Sequence, residues 1–137
     1  MINYTEILRE HNLKVTPQRV AIANALYVNG HVNIDSLYEV MLKKFDSISL
    51  ATIYKNVNLM MKNSFIQEVK LPNAKSVYEL TKETHSHLVC NRCSSVEDIN
   101  INVEDIYEKT SSIITFHVES VSLIFTGKCK SCQLLSA

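Results

Sequence analysis

Three observations predict an α+β chain built in two parts. Residues 1–82 carry four segments of helical periodicity, followed by two short strand-like runs around a Pro-Asn turn. Residues 83–137 hold all four cysteines of the chain, as two Cys-x-x-Cys pairs separated by 35 residues. The charge, balanced overall, divides between the same parts, with a net of +3 on residues 1–82 and −3 on residues 83–137. The expected architecture is an N-terminal winged helix over 1–82 and a small α/β domain over 83–137 that carries a four-cysteine metal site.

Residues 3–11 read as a short helix with Ile7 and Leu8 inward. Thr16 is a good N-cap and Pro17 suits the first helical position, so a second helix is expected from Pro17 to about Tyr27. Its core contacts should include Val20, Ala23, Ala25, Leu26 and Tyr27, with Asn29-Gly30 as its stop. His31-Val32 reads as connector. Asn33 should cap a third helix, where Ile34, Leu37, Tyr38, Met41, Leu42 and Phe45 recur at helical spacing. Ser49 should cap a fourth, from Leu50 to about Lys62, with Leu50, Ile53, Val57 and Met60 as its buried stripe. Ala51, Thr52, Lys55 and Asn58 fall on the other side, with Tyr54 at the boundary. Small and polar residues with one Lys and one Tyr at a helix N-terminus suit a major-groove reader, though a solvated face has the same pattern. Phe65–Lys70 and Ser76–Leu80 then read as the strands of a wing, which makes the fourth helix the recognition helix. On this reading Thr52 and Tyr54 influence sequence choice, and Lys14, Arg19 and Lys55 meet phosphates.

In the second part, His85–Cys90 and Val96–Ile101 read as strands around a tight turn. Val103 to about Thr110 reads as a helix with Val103, Ile106 and Tyr107 inward, and Ile113 to Phe125 as β-rich. A domain this small is marginal alone and needs a metal, a partner subunit or both. His11 and His117 have no obvious partners and read as structural or surface residues.

The chemistry concentrates in residues 85–98, which hold two histidines, two cysteines and two carboxylates. Cys90, Cys93, Cys129 and Cys132 supply the four thiolates of a tetrahedral zinc site. Disulfides within each pair would be strained, since only two residues separate the sulfurs. His85 and His87, at i and i+2 of a strand, project from one face. The returning strand offers Asp98 or Glu97 to the same ion, and histidine with carboxylate suits iron, manganese or zinc. Two glycines leave no phosphate-cradling loop, and no Ser-His-Asp or paired-carboxylate arrangement stands out. No apolar run approaches the roughly 18 residues of a membrane span and no signal peptide is read at the start, so a cytoplasmic, thiol-reducing location is expected.

A winged helix followed by His-x-His-x-x-Cys-x-x-Cys and a terminal Cys-x-x-Cys resembles the ferric uptake regulator family over nearly the whole chain. Thr16-Pro17-Gln18-Arg19 is similar to the family's second-helix signature, and Ser49-Leu50-Ala51-Thr52-Ile53-Tyr54-Lys55 to its recognition helix. The resemblance implies a homodimeric, metal-dependent repressor that binds a near-palindromic double-stranded DNA operator and is not an enzyme. It assigns structural zinc to Cys90, Cys93, Cys129 and Cys132, and a regulatory iron or manganese to His31, Glu79, His85, His87 and Asp98.

Asp98, in place of Glu, and Thr84-His85-Ser86-His87 resemble the peroxide-sensing branch; Glu79 and Val32 depart from its pattern, which more often has Asp and Pro there. That branch implies that peroxide meeting a bound ferrous ion oxidises a ligand imidazole, His31 or His85, after which metal and DNA are released. Manganese would support repression with little peroxide response. An iron- or zinc-responsive uptake repressor of the same family is the alternative. A Cys-x-x-Cys thiol–disulfide oxidoreductase is a remoter one, because such thiols sit at helix starts, whereas these pairs follow strands.

Overall fold

The computed structural model describes residues 2–135. The chain divides into two compact units, Met1–Lys82 and Glu83–Ala137.

In the first unit, four helices each begin at a polar side chain that accepts a backbone N–H two or three residues inside the helix. Asn3 caps α1 (Tyr4–Glu10), Thr16 caps α2 (Pro17–Asn29), Asn33 caps α3 (Ile34–Leu42) and Ser49 caps α4 (Leu50–Lys62). Each cap satisfies a donor that the helix leaves open and contributes about 1 kcal/mol. Leu8, Ile22, Leu26, Leu37, Ile53 and Met60 are buried from four different helices in one core. Ile53 is completely buried. Ile53→Ala should therefore lower unfolding free energy by about 2–5 kcal/mol, seen as a reduced urea midpoint.

Two expected core contacts of these helices lie outside. Tyr27 is 58% exposed; it lies one turn beyond Ala23, just past the edge of the buried face of α2, where its ring meets Tyr4 edge-on. Leu50 is also exposed; it shares the face of Ile53 but stands in the first turn, at the rim of the core.

The wing is three-stranded. β2 (Ile66–Val69) and β3 (Val77–Leu80) form the expected antiparallel pair, and β1 (Val32–Asn33), read from sequence as connector, pairs with the other edge of β3. Lys75, in the β2–β3 turn, makes an ion pair with Asp35 in the first turn of α3. His11 is not partnerless, since its Nδ1 lies 2.8 Å from the Ile7 carbonyl and its ring meets Phe65 edge-on at 5.3 Å.

The second unit is a three-stranded sheet in the order β5-β4-β6. β4 (Ser86–Cys90) is antiparallel to β5 (Val96–Ile99) and parallel to β6 (Ile124–Gly127). The parallel pair needs a crossover, and α5 (Glu104–Ile113) lies within it. A short α6 (Lys130–Leu135) ends the described chain and was not expected. Two other expectations do not hold. α5 buries none of its residues, and Ile106 and Tyr107 are exposed. Residues 114–123 form no strand; pairing with β4 begins only at their end, where the Leu123 carbonyl accepts the His87 N–H at 3.3 Å. No helix among the described residues is long and apolar enough to cross a membrane.

Candidate metal centres

The sequence places the four cysteines at two turns, and the sheet brings the turns together. Cys90 ends β4, Cys93 lies in the turn that follows, Cys129 comes after β6, and Cys132 is on α6. β6 pairs with β4 in a register that sets Gly127 against Cys90, and the Asn91 N–H donates to the Gly127 carbonyl at 2.8 Å. The four sulfurs all lie within 4.8 Å of one another, and those of Cys93 and Cys129 are 3.8 Å apart. Four thiolates about 2.3 Å from one zinc are separated by about 3.8 Å, whereas a disulfide needs about 2.05 Å. The spacing fits a shared ion, and all four thiols are free.

Their protonation points the same way. Backbone N–H groups of Cys129, Cys93 and Arg92 converge on Cys90 and hold its thiol down to about 6. Ser95, through its side chain and then its backbone, holds Cys93 below the ordinary range. The neighbouring Cys129 thiol and then burial push Cys132 up to about 12. Four crowded sulfurs cannot all be anionic without a cation among them, while the amides around Cys90 and the Ser95 side chain beside Cys93 already favour charge on those two. This is the donor set of a zinc site.

Histidine and carboxylate donors occur in each unit. In the first, Gly30 takes a positive φ of 77° after α2 and delivers His31 to the start of β1. The β1–β3 pairing sets Val32 opposite Tyr78, which brings His31 beside Glu79, with Nε2 2.7 Å from Oε2. The Glu79 side chain is only 1% exposed. An ionised carboxylate this deep requires compensation. Besides His31, Gln67 Nε2 donates to Oε1 at 2.6 Å and Lys82 Nζ stands 4.0 Å from Oε2.

In the second unit, His87 is directly opposite Asp98 across β4 and β5. Asp98 Oδ1 lies 3.4 Å from His85 Nε2 and 3.5 Å from His87 Nε2, and the two imidazole centres are 4.6 Å apart. His85 Nδ1 is 2.7 Å from the Glu83 carbonyl. As the donor in that bond it leaves Nε2 as the ring's basic nitrogen, on the Asp98 side. The strand also separates the two candidate carboxylates. Glu97 stands opposite Leu88 and lines a cleft with Leu88 and Phe125, on the face away from the histidines. Nitrogen and oxygen donors of this kind suit iron or manganese.

The outer face of α4 leaves Thr52, Tyr54 and Lys55 exposed, and Lys14 is exposed before α2. Thr52 Oγ1 lies 2.9 Å from Ser49 Oγ at the cap. Arg19 has an internal task that the sequence reading did not include. Its Nε donates to Asn56 Oδ1 at 3.1 Å and its Nη1 to the Lys14 carbonyl at 2.7 Å, which ties α2 to α4 and to the preceding loop. Sequence pattern finds helix faces readily but not this bond, which joins residues 37 positions apart.

Comparison with known proteins agrees with this arrangement. The chain is 30% identical over 131 residues to the peroxide operon regulator of Bacillus subtilis, covering 93% of this chain and 90% of that protein. It superposes on the crystal structure of the Campylobacter jejuni peroxide stress regulator with a TM-score of 0.71 at 33% identity, covering 96% and 100%. The Vibrio cholerae ferric uptake regulator gives a TM-score of 0.73 at 27% identity, covering 93% and 100%. The family model of the ferric uptake regulator family matches residues 10–126, a span that stops just before the second cysteine pair. The chain belongs to the ferric uptake regulator family.

Proposed function

We propose that this protein is a homodimeric, metal-dependent transcriptional repressor that senses hydrogen peroxide through oxidation of a metal-ligand histidine. The observation that carries the reading is the division of its histidine–carboxylate donors. The His31–Glu79 pair belongs to the unit that carries α4, while His85, His87 and Asp98 belong to the other. One regulatory ion drawing on all five residues would tie the two units together and favour the DNA-competent state. Ferrous iron held by these residues would supply the reducing electrons for peroxide cleavage, and manganese would supply ligation and charge without them. The residues' own part is to present nitrogen lone pairs. His85 does so because Glu83 fixes its tautomer, and an oxidised ring at His31 or His85 no longer does. The relatives in Bacillus subtilis and Campylobacter jejuni, both named for the peroxide response, support this branch.

DNA recognition falls to α4. In this reading Thr52 and Tyr54 meet base edges, with Tyr54 packing on a thymine methyl, while Lys14, Lys55 and the remaining donors of Arg19 meet phosphates. The exposed apolar side chains of the second unit, among them Ile106, Ile113 and Phe116, support a subunit interface. A twofold dimer then calls for a near-palindromic operator. Lys55→Ala should weaken binding almost uniformly across operator sequences and reduce the salt slope by about 1, measured by fluorescence anisotropy between low and moderate salt. The test of the whole reading is operator binding that requires manganese or iron and is abolished by peroxide only in the iron form.

Glu79 favours a second reading, an iron- or zinc-responsive uptake repressor, because peroxide sensors more often carry Asp there. That reading expects iron-loaded protein to stay on DNA, with unmodified histidines, under peroxide.

A further inference from the structure

The structure assigns Gln67 a role in setting how Glu79 meets the regulatory metal: we propose that it is a positioning residue that restricts Glu79 to one ligand oxygen, Oε2. This rests on the reading of Glu79 as a ligand. β2 and β3 pair with Gln67 directly opposite Glu79. Ile66 and Val69, buried on the same strand, fix that register. Gln67 Nε2 donates to Oε1 at 2.6 Å, while Oε2 lies 2.7 Å from His31 Nε2. The two oxygens therefore face different partners. With the carboxylate 1% exposed, bulk water is poorly placed to replace the amide.

Glutamate has one more side-chain torsion than aspartate, and that freedom lets a carboxylate turn both oxygens toward an ion. The Gln67 amide opposes the turn by holding Oε1 on the β2 side. Partners that orient a ligand in this way commonly change metal affinity by about 10–100-fold when removed. Gln67 does not itself touch the ion.

Gln67→Met keeps side-chain length and deletes the donor. Gln67→Thr, compatible with a strand, serves if the first variant folds poorly. Manganese(II) is titrated into zinc-loaded dimer by calorimetry, and the infrared difference spectrum of manganese binding is recorded with Glu79→Gln identifying the Glu79 bands. Affinity should fall about tenfold in either Gln67 variant. The separation between the symmetric and antisymmetric Glu79 carboxylate bands should narrow from a one-oxygen to a two-oxygen value. Unchanged affinity with an unchanged band separation overturns the inference. If Glu79→Gln binds manganese as the wild type does, Glu79 is not a ligand and the inference falls with that reading. Neither readout involves peroxide, so failure of peroxide sensing leaves a distinct signature.

Discussion

Replacing Cys129 by Ser should cost the second unit its fold while leaving the first intact. Among the described residues of that unit only Ser86, His87, Cys90 and Cys132 are buried. No Leu, Ile, Val or Phe side chain among those described residues is fully removed from water within one chain, so apolar burial inside the unit is incomplete. The four-thiolate cluster, with the proposed subunit interface, must then supply a large share of the stability. Zinc binding in small domains of this type is worth on the order of 10 kcal/mol, and that free energy is folding free energy. Deleting one of four thiolates removes a large part of it and leaves the remaining crowded sulfurs without their cation. Zinc content should fall from one per subunit to near zero, and the dimer should dissociate. The strand contribution to circular dichroism should lose its cooperative transition. The helical transition should survive, because the continuous core from Leu8 to Tyr78 lies within the first unit. Cys90→Ser should behave alike. A folded, dimeric, zinc-free Cys129→Ser protein would contradict the assignment.

Local features carried most of the first unit in the sequence. Thr16-Pro17 and Ser49 announce helix starts, and α4 runs from Leu50 to Lys62 as its buried positions Ile53, Val57 and Met60 imply. What stayed illegible depends on distant partners. β1 is two residues long and exists because Val32 meets Tyr78, 46 positions away. The parallel pairing of β6 with β4 cannot be read from either strand alone. The α5 side chains expected inward have no core in their own unit to enter, so amphipathic spacing pointed to burial that a single chain does not provide. The same division runs through the metal centres. The i, i+2 spacing of His85 and His87 predicts a common face, and their imidazoles do adjoin. The sequence left Glu97 and Asp98 as rivals; only the β4–β5 register decides which faces those histidines. Gln67 carries no metal-site signature in sequence, because only the β2–β3 register sets it opposite Glu79 across the wing.

Peroxide should reduce operator affinity on the order of a hundredfold in iron-loaded protein, and leave the manganese-loaded protein almost unaffected. Hydroxyl-type oxidants react within a few ångströms of where they form, so modification should fall on side chains that adjoin the ion. His31 Nε2 adjoins Glu79 in the first unit, and His85 Nε2 adjoins Asp98 in the second. Peptide mass analysis should find a single added oxygen on His31 or His85, with His11 and His117 unmodified as internal controls. His11 is engaged with the Ile7 carbonyl and Phe65, and His117 is exposed in a segment without strand or helix. Loss of one imidazole removes a donor from one unit's share of the site, so DNA release should track the oxidised fraction. Asp98→Glu tests the link between ligation and sensing. Its longer side chain reaches past the position where Oδ1 now sits between His85 and His87. Metal-dependent DNA binding should persist in that variant, with slower peroxide release. Iron-loaded wild type that keeps its operator and its histidines intact under peroxide would instead favour the uptake-repressor reading, in which the same five residues report metal supply.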